Sequence, residues 1–376
     1  MSYLSTTDFT EDAAFLERFG QIMRGDLELG WMDAARERPR CRPQNERRGL
    51  TFRDLDVGTY GFTDMPELIR HNRSFAPRGA ALAEGLPDLQ ADVNRKSEVW
   101  AYNVEGYYEE AMTRQWNATT DIPWADLAGS ELPEDVGKAY AQLLTFLTEV
   151  EMIATDVPAK WLGRLNADFF EVKNFIATQA MDEARHAEVF RKRALSTGFG
   201  LMRASRHNEC NLKFLRDADS FAEASLTLHL QAEGMVLTMF RFSEYISPTE
   251  ADKKLFRLVM QDEARHVGYG MQHLKWVLDH HPERREVIHQ HLDEAENFVF
   301  GAGYATEVLE PFIILAGKGL TRERVQEGVR ITSAFQLKQS EEYFERLARC
   351  GLPERRERSR LWKFVEMNRQ ALGAAA

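Results

Sequence analysis

The sequence predicts an all-α protein built around a bundle of four long helices, with further helices at both ends. Apolar residues recur with a period near 3.6 from about residue 93 onward, and no convincing alternating pattern of a β-strand is present. The pentapeptide Asp-Glu-Ala-Arg-His occurs at 182–186 and again at 262–266. Each copy lies in the second helix of a predicted helical hairpin, so the chain contains a duplicated two-helix unit, not a longer solenoid.

Composition limits the class of protein. A chain of 376 residues can bury a sizeable core, and its net charge of −11 argues against a general nucleic-acid binder. The three cysteines show no CxxC spacing, the N-terminus has no apolar segment of a signal peptide, and no run approaches 18 apolar residues. We therefore expect a cytoplasmic protein without disulfides or a membrane span.

Residues 1–90 are expected to form an irregular N-terminal extension. Turn signals such as GTYGF occur there, together with a Pro/Arg-rich patch at 36–48. Glutamates interrupt this patch, so a solvated loop or subunit contact is favoured over a nucleic-acid arm. A helix is predicted next, over 94–116, and it ends before Pro123.

The four bundle helices are predicted between residues 130 and 280. The first covers 133–165, with Pro133 suited to its first turn and Pro158 predicting a kink or break. The second ends at Gly198, the third ends at Pro248, and the fourth opens at the cap candidate Thr249. Residues 281–376 are expected to add two or three helices to the same single domain, 1–376.

Each pentapeptide contains a Glu-x-x-His pair, whose side chains project from one face of a helix. The pairs are Glu183 with His186 and Glu263 with His266. The first helix of each hairpin adds an acidic residue in an apolar stretch, which is Glu233 in one hairpin and Glu149 or Glu151 in the other. One such pair alone is more often a surface ion pair. Two identical copies, each about 30 residues after an embedded glutamate, favour a metal site, because buried carboxylates repel one another unless cations compensate them.

The pattern E…DEARH…E…DEARH resembles the ferritin-like carboxylate-bridged diiron superfamily, over roughly residues 130–280. Its members include ribonucleotide reductase small subunits, monooxygenase hydroxylases, p-aminobenzoate N-oxygenase and acyl-carrier desaturases. The resemblance implies a ferritin-like four-helix bundle that holds two iron ions, with a manganese–iron pair as the alternative. The implied metal ligands are Glu151, Glu183, His186, Glu233, Glu263 and His266.

The choice between Glu149 and Glu151 stays open at this point. The two residues lie about 160° apart on a helical wheel, so they cannot share a face. Glu151 is favoured because its distance to Glu183 is closer to 30 residues, and because Glu-Met-Ile-Ala resembles the Glu-Tyr-x-Ala found at this ligand in monooxygenase hydroxylases.

Further residues are assigned behind and beside the metals. The resemblance implies that Asp182 and Asp262 accept hydrogen bonds from ligand imidazoles, with solvent exposure or pairing to the neighbouring arginines as the alternative. His229 lies one turn before Glu233 and is expected to support a ligand or fill the core, with a third nitrogen ligand as the less favoured option. An apolar substrate pocket is predicted from Phe175, Gln179, Phe190, Val236, Leu237, Phe240 and Val259.

The expected function is an O2-dependent diiron oxygenase or oxidase that hydroxylates, N-oxygenates or oxidatively cleaves a small organic substrate. The chain lacks a residue typical of each of these enzyme classes. It has Phe190 where ribonucleotide reductase small subunits carry a radical tyrosine, so no stored tyrosyl radical is expected unless Tyr269 takes that role. An iron- or peroxide-handling protein and a radical-generating or manganese–iron oxidase remain alternatives. No NAD or flavin fingerprint is present, so electrons are expected from a ferredoxin or reductase, or from a substrate that supplies its own. A homodimer is a further hypothesis, and no nucleic-acid or membrane partner is expected.

Overall fold

The computed structural model describes residues 8–35, 38–57, 65–70, 75–86, 89–302 and 305–374, with the backbone alone in 299–302 and 371–374. Within these ranges the chain forms helices and short turns. Its only extended pairings there are two isolated bridges, Leu68 with Arg95 and Val93 with Leu165. The predicted all-α class is confirmed. The GTYGF segment and the first two residues of the basic patch lie outside the described residues.

Fourteen α-helices are found in the described residues. In chain order they are α1 (Ala13–Met23), α2 (Lys96–Val99), α3 (Val104–Thr113), α4 (Glu134–Leu162), α5 (Phe170–Leu195), α6 (Arg206–Arg216), α7 (Phe221–Ser225), α8 (Glu233–Ile246), α9 (Glu250–His280), α10 (Arg285–Ala302), α11 (Thr306–Gly317), α12 (Arg322–Arg349), α13 (Arg355–Arg358) and α14 (Arg360–Ala374). A π-helical segment, Leu226–Ala232, joins α7 to α8 without a break.

The central bundle consists of α4, α5, the continuous α7–α8 helix and α9. Pairing is closest between α4 and α5 and between α8 and α9, as expected for two successive hairpins. Outside them, α11 packs on α4 and α12, while α12 packs on α8 and α14. The C-terminal helices therefore form a second wall along α4 and α8, beside the helices that carry Glu151 and Glu233.

Local sequence signals explain several helix ends. The Thr249 side chain caps α9 by accepting a hydrogen bond from the Asp252 N–H at 3.1 Å, and Gly198, with φ of +82°, follows the end of α5. A break at Pro158 was expected, but α4 continues through it to Leu162. Proline removes only one hydrogen bond so near the helix end, and Pro158 is buried in the core.

The helix predicted over 94–116 is instead two helices, α2 and α3. The chain leaves the helical conformation at Trp100, which is buried, and re-enters it after Asn103, whose φ is +60°. Burial of the large Trp100 side chain thus overrides a continuous helical pattern. The N-terminal extension, expected to be irregular, contains α1, which Asp12 caps at the Phe15 N–H.

The bundle is filled by two clusters of buried apolar side chains, one on each side of the pentapeptides. The first cluster includes Phe175 and Tyr269, and the second includes Phe190, Phe240 and Val259. No helix in the described ranges is both long and apolar enough to cross a bilayer.

Candidate metal centre

The two pentapeptides face each other across the bundle interior, on α5 and α9. Their aspartates, glutamates and histidines are all at most 1% exposed. Glu151 on α4 and Glu233 on α8 are also buried, at 2% and 4%. The structure therefore brings together all six predicted ligands, which come from four separate helices.

These side chains form two groups in which the ligand atoms all lie within 4.8 Å of one another. One group is Glu151, Glu183, His186 and Glu263, and the other is Glu183, Glu233, Glu263 and His266. Glu183 and Glu263 belong to both groups. The arrangement offers two adjacent positions, each with one histidine and one glutamate of its own, joined by two shared carboxylates.

The structure places Glu149 and Glu151 in different surroundings. Glu151 Oε2 lies 3.6 Å from His186 Nδ1, inside the cluster. Glu149 points to α6, where its Oε2 accepts a hydrogen bond from Asn208 Nδ2 at 2.7 Å. Among the two, only Glu151 can contribute to the cluster, in keeping with their separation on the helical wheel.

Several polar atoms of the cluster are buried without a hydrogen-bond partner. They are one oxygen each of Glu151, Glu183, Glu233 and Glu263, and Nδ1 of His266. His266 Nδ1 approaches Glu183 Oε1 to 2.9 Å, yet the pair does not have hydrogen-bond geometry. Buried polar atoms are normally paired. Lone pairs that converge on a common space fit metal ligation, and a set of four carboxylates and two imidazoles suits iron or manganese.

Electrostatics give the same picture of a site that needs positive charge. Burial raises the pKa of Glu151 and Glu233 well above the ordinary value, and the carboxylates of Glu183 and Glu263 add to the effect. Burial also opposes ionisation of Glu183, but the facing histidines outweigh it and hold the pKa of that carboxyl well below its usual range. In the metal-free protein, protons therefore supply the compensation that metal ions would provide.

The histidines are charged in the metal-free cluster for the same reason. Burial lowers the pKa of His186 and His266, but the carboxylates around each ring outweigh burial and raise both pKa values well above 6.5. Metal ligation requires neutral imidazole, so metal binding would displace these protons.

The aspartates of the two repeats hold the histidines crosswise. His186 Nε2 lies 3.1 Å from Asp262 Oδ2, and His266 Nε2 lies 3.4 Å from Asp182 Oδ2. Each imidazole is therefore oriented by the other repeat. Because Nε2 is engaged with an aspartate, Nδ1 of each ring faces the glutamates, and Nδ1 is the atom available to a metal.

The arginines of the pentapeptides bind the same two aspartates. Asp182 and Asp262 therefore contact the ligand imidazoles and also pair with the neighbouring arginines, two roles that the sequence presented as alternatives. Arg265 Nη2 donates to Asp182 at 2.9 Å and to Asp262 at 2.5 Å. Arg185 Nη2 also donates to both, at 2.8 Å to Asp262. Burial raises the pKa of Asp262, but His186 and both arginines outweigh it and hold that pKa far below the usual range. Asp262 thus stays ionised as an acceptor for the His186 imidazole.

Trp116 is a member of this network that the sequence did not identify. Its Nε1 donates to Asp262 Oδ2 at 2.6 Å, and its ring lies nearly parallel to that of His186 at 6.4 Å. Arg185 lies over the indole at 4.7 Å. Trp116 precedes α4 and is 146 residues from its partner in the chain, so no local pattern connects the two.

A second chain of hydrogen bonds supports Glu233 from behind. Gln179 Nε2 donates to Glu233 Oε1 at 2.8 Å, while Gln179 Oε1 lies 3.1 Å from His229 Nε2. Ser225 Oγ lies 2.8 Å from His229 Nδ1. His229 is in neither metal-ligand group, and burial depresses its pKa well below 6.5. It is a neutral histidine that fixes Gln179, and it is not placed to be a third nitrogen ligand.

The π-helical segment carries His229 and ends directly before Glu233. Such segments insert one residue into a helical turn and often occur at functional sites. The segment packs closely on α9 at Gly270, where a Cβ atom would lie 2.3 Å from Cβ of His229. Glycine at 270 therefore permits the approach that aligns α8 with the cluster.

A cavity of about 160 Å³ extends from Glu151, Glu233 and Glu263 to the C-terminal helices. Of the seven residues predicted to form the substrate pocket, Val236 lies on its wall. Phe190, Phe240 and Val259 pack in the second apolar cluster instead.

The remaining predicted pocket residues are also placed elsewhere. Phe175 stacks on Tyr269 with ring centroids 4.6 Å apart, and Gln179 makes the hydrogen bonds described above. Leu237 is not on the wall of this cavity. Helical periodicity identifies which faces are buried, but it cannot distinguish packed core from the lining of a void. The actual wall includes α6, α11, α12 and α14, which the sequence did not connect with the site.

Comparisons with known proteins agree with the fold. No family model matches the chain, and no curated protein matches it. Solved structures of R2-like ligand-binding oxidase variants do match. One with an aerobically reconstituted Mn/Fe cofactor has a TM-score of 0.51 at 17% identity, and one with an Fe/Fe cofactor has 0.53 at 18%. Each match covers 66% of this chain and 94% of the other. The chain therefore has the ferritin-like, all-α fold of the R2-like ligand-binding oxidases.

Proposed function

We propose that the protein is a non-haem diiron oxygenase or oxidase, which uses O2 to hydroxylate, N-oxygenate or oxidatively cleave a small organic substrate. The observation that carries this proposal is the pair of ligand groups that share Glu183 and Glu263. If each Glu-x-x-His motif were only an ion pair, no carboxylate would need to belong to both groups. Two adjacent positions with common carboxylates are suited to two ions acting together.

The proposed cofactor is a pair of iron ions, with manganese–iron as the alternative. The structurally similar oxidases are described with Mn/Fe and Fe/Fe cofactors, so this fold accommodates both. When bound, such a pair supplies the electrons that reduce dioxygen. Glu151 and His186 would hold one ion, and Glu233 and His266 would hold the other. The two shared glutamates would contact both ions.

The surrounding residues would fix this cluster and shield it. Asp182 and Asp262 hold the imidazoles from behind, and Gln179 holds one oxygen of Glu233. The cavity beside Glu151 and Glu233 is lined mainly by apolar side chains, which limits water near the metals while leaving space for a substrate.

The alternatives have less support. A stable tyrosyl radical needs a tyrosine beside the metals, but Phe190 is packed against Phe240 and Phe256. Tyr269 is turned away to α2, where its hydroxyl donates to the Val99 carbonyl at 2.5 Å. An iron-storage role does not explain an apolar cavity that ends on three of the glutamates.

The proposal includes partners. We expect a cytoplasmic protein that receives electrons from a ferredoxin or reductase, since the sequence carries no dinucleotide or flavin fingerprint. A homodimer is a further proposal. The apolar residues Phe19, Met23 and Trp31 of the N-terminal extension are at least half exposed, as a contact with a second copy would require.

The test is oxygen consumption by iron-loaded protein that has been chemically reduced. We expect rapid uptake of O2 by the wild type and none above free iron by Glu183→Ala, which loses a shared ligand. A persistent radical signal after exposure to oxygen, or deposition of many iron ions per chain, would contradict the proposal and favour one of the alternatives.

A further inference from the structure

We propose that Thr332 on α12 determines which substrate the cavity accepts, and that this substrate is an uncharged, mainly apolar molecule of about one ring in size with one hydrogen-bonding group. The inference rests on the proposed function, because the molecule bound there is taken as the substrate. Three observations carry it, namely the size of the cavity, the charges on its wall and an unpaired buried hydroxyl.

The size of the cavity limits the part of the substrate that it can enclose. Its volume is about 160 Å³, and its inner end is formed by Glu151, Glu233 and Glu263. A protein cavity of about 150 Å³ lined by apolar side chains takes benzene. The space beside the metal-ligand cluster is therefore suited to a single ring or a short branched chain.

The charges on the wall select against ions. None of the described lining residues is a lysine, arginine or histidine, so an anionic group would meet no oppositely charged side chain there. The charged residues of the wall are the three glutamates, and two divalent metal ions would balance the charge of the four-glutamate cluster. A cation would then find no free carboxylate, and transfer of any ion into this apolar space is costly.

Thr332 carries the one fully buried side-chain polar atom without a hydrogen-bond partner on the α12 part of this wall. Its side chain is 2% exposed, and its Oγ1 has no partner. Two neighbouring polar groups of α12 on this wall are already paired. Ser340 Oγ donates to the Gln336 carbonyl at 3.1 Å, and Gln339 Nε2 donates to the Met235 carbonyl at 2.9 Å.

A buried hydroxyl without a partner is unfavourable in the free protein. A bound molecule with a hydroxyl, carbonyl or amine at the right position would satisfy it. Thr332 would then distinguish such a molecule from its purely apolar analogue, since a site with an unpaired polar group discriminates against a ligand that cannot pair with it.

The test compares three ring probes of similar size, toluene, benzyl alcohol and benzoate, by titration calorimetry. The protein is titrated metal-free and again with zinc bound, so neither oxygen nor electron transfer is involved. We expect wild-type protein to bind benzyl alcohol about fivefold more tightly than toluene, and Thr332→Val to lose that preference. Thr332→Ser keeps the hydroxyl and should keep the preference.

Matched controls separate a binding role from a structural one. Thr148→Val removes a buried hydroxyl that already donates to the Leu144 carbonyl at 2.8 Å, and it should not alter the preference. Thr332→Val should have a thermal midpoint equal to or above that of the wild type. The inference is overturned if neither neutral probe binds, if Thr332→Val keeps the preference or melts well below the wild type, or if benzoate binds the zinc form most tightly. If the protein binds the probes as expected but consumes no oxygen, the proposed function is refuted and the role of Thr332 in binding stands.

Discussion

The substitution Glu151→Gln has a predicted effect that differs between the metal-free and the metal-loaded protein. In the metal-free state, burial raises the pKa of Glu151 well above 4.5, and the side chain is close to a neutral amide in size and charge. Glutamine should therefore change the stability of the metal-free protein little. With metal present, the same change removes a charged ligand from one of the two groups.

The magnitude follows from linkage between metal binding and folding. If loss of the ligand weakens metal affinity about 100-fold, the stabilisation by saturating metal falls by about 2.7 kcal/mol. For a chain of this length, that corresponds to a decrease of about 3 °C in the metal-loaded thermal midpoint.

The assay is scanning calorimetry under nitrogen, with ferrous iron and with a chelator. Glu149→Gln is the matched control, because Glu149 is bound to Asn208 and lies outside the cluster. Its iron-dependent increase in midpoint should equal that of the wild type. If Glu151→Gln retained the full increase, or if Glu149→Gln lost it, the assignment of the α4 ligand would be refuted.

Three further predictions follow from the same structure. Asp262→Asn should weaken metal affinity about 10- to 100-fold in chelator competition, because His186 loses its ionised partner. His273 is fully buried, and burial depresses its pKa to about 4. As the pH falls from about 6.5 to 4, the unfolded state takes up a proton that the folded state does not, so folding loses up to about 3 kcal/mol in this window. His273→Gln should reduce that loss in urea unfolding measured at several pH values. Val236→Trp should block probe binding without changing the metal content. Leu237 is off the cavity wall, so Leu237→Trp should leave probe binding and metal content unchanged.

The parts of the site that the sequence predicted are those that local spacing determines. Glu183 and His186 share a helix face because they are three residues apart, and the second copy of the pentapeptide obeys the same rule. Recurrence of a glutamate about 30 residues earlier then identified Glu233 as a partner. The preference for Glu151 over Glu149 rested on the same spacing and on the helical wheel, and the structure places Glu151 in the cluster.

The parts that the sequence did not predict depend on contacts between distant segments. The crosswise pairing of Asp182 with His266 requires the relative position of α5 and α9, which no single-helix pattern contains. Trp116 reaches Asp262 from a loop. The cavity wall includes Thr332 of α12, about 100 residues beyond Glu233, and a periodic apolar stripe does not reveal whether it faces a void. The π-helical segment likewise has no distinct composition.

The central claim is that the two repeats form one site for two metal ions. Iron analysis combined with Mössbauer spectroscopy of anaerobically loaded, desalted protein tests it most directly, with Glu183→Ala as the comparison. We predict two iron ions per chain that become a magnetically coupled pair on oxidation in the wild type, and loss of this pair in Glu183→Ala. One iron or none per chain, two uncoupled irons, or an intact pair in Glu183→Ala would contradict the claim.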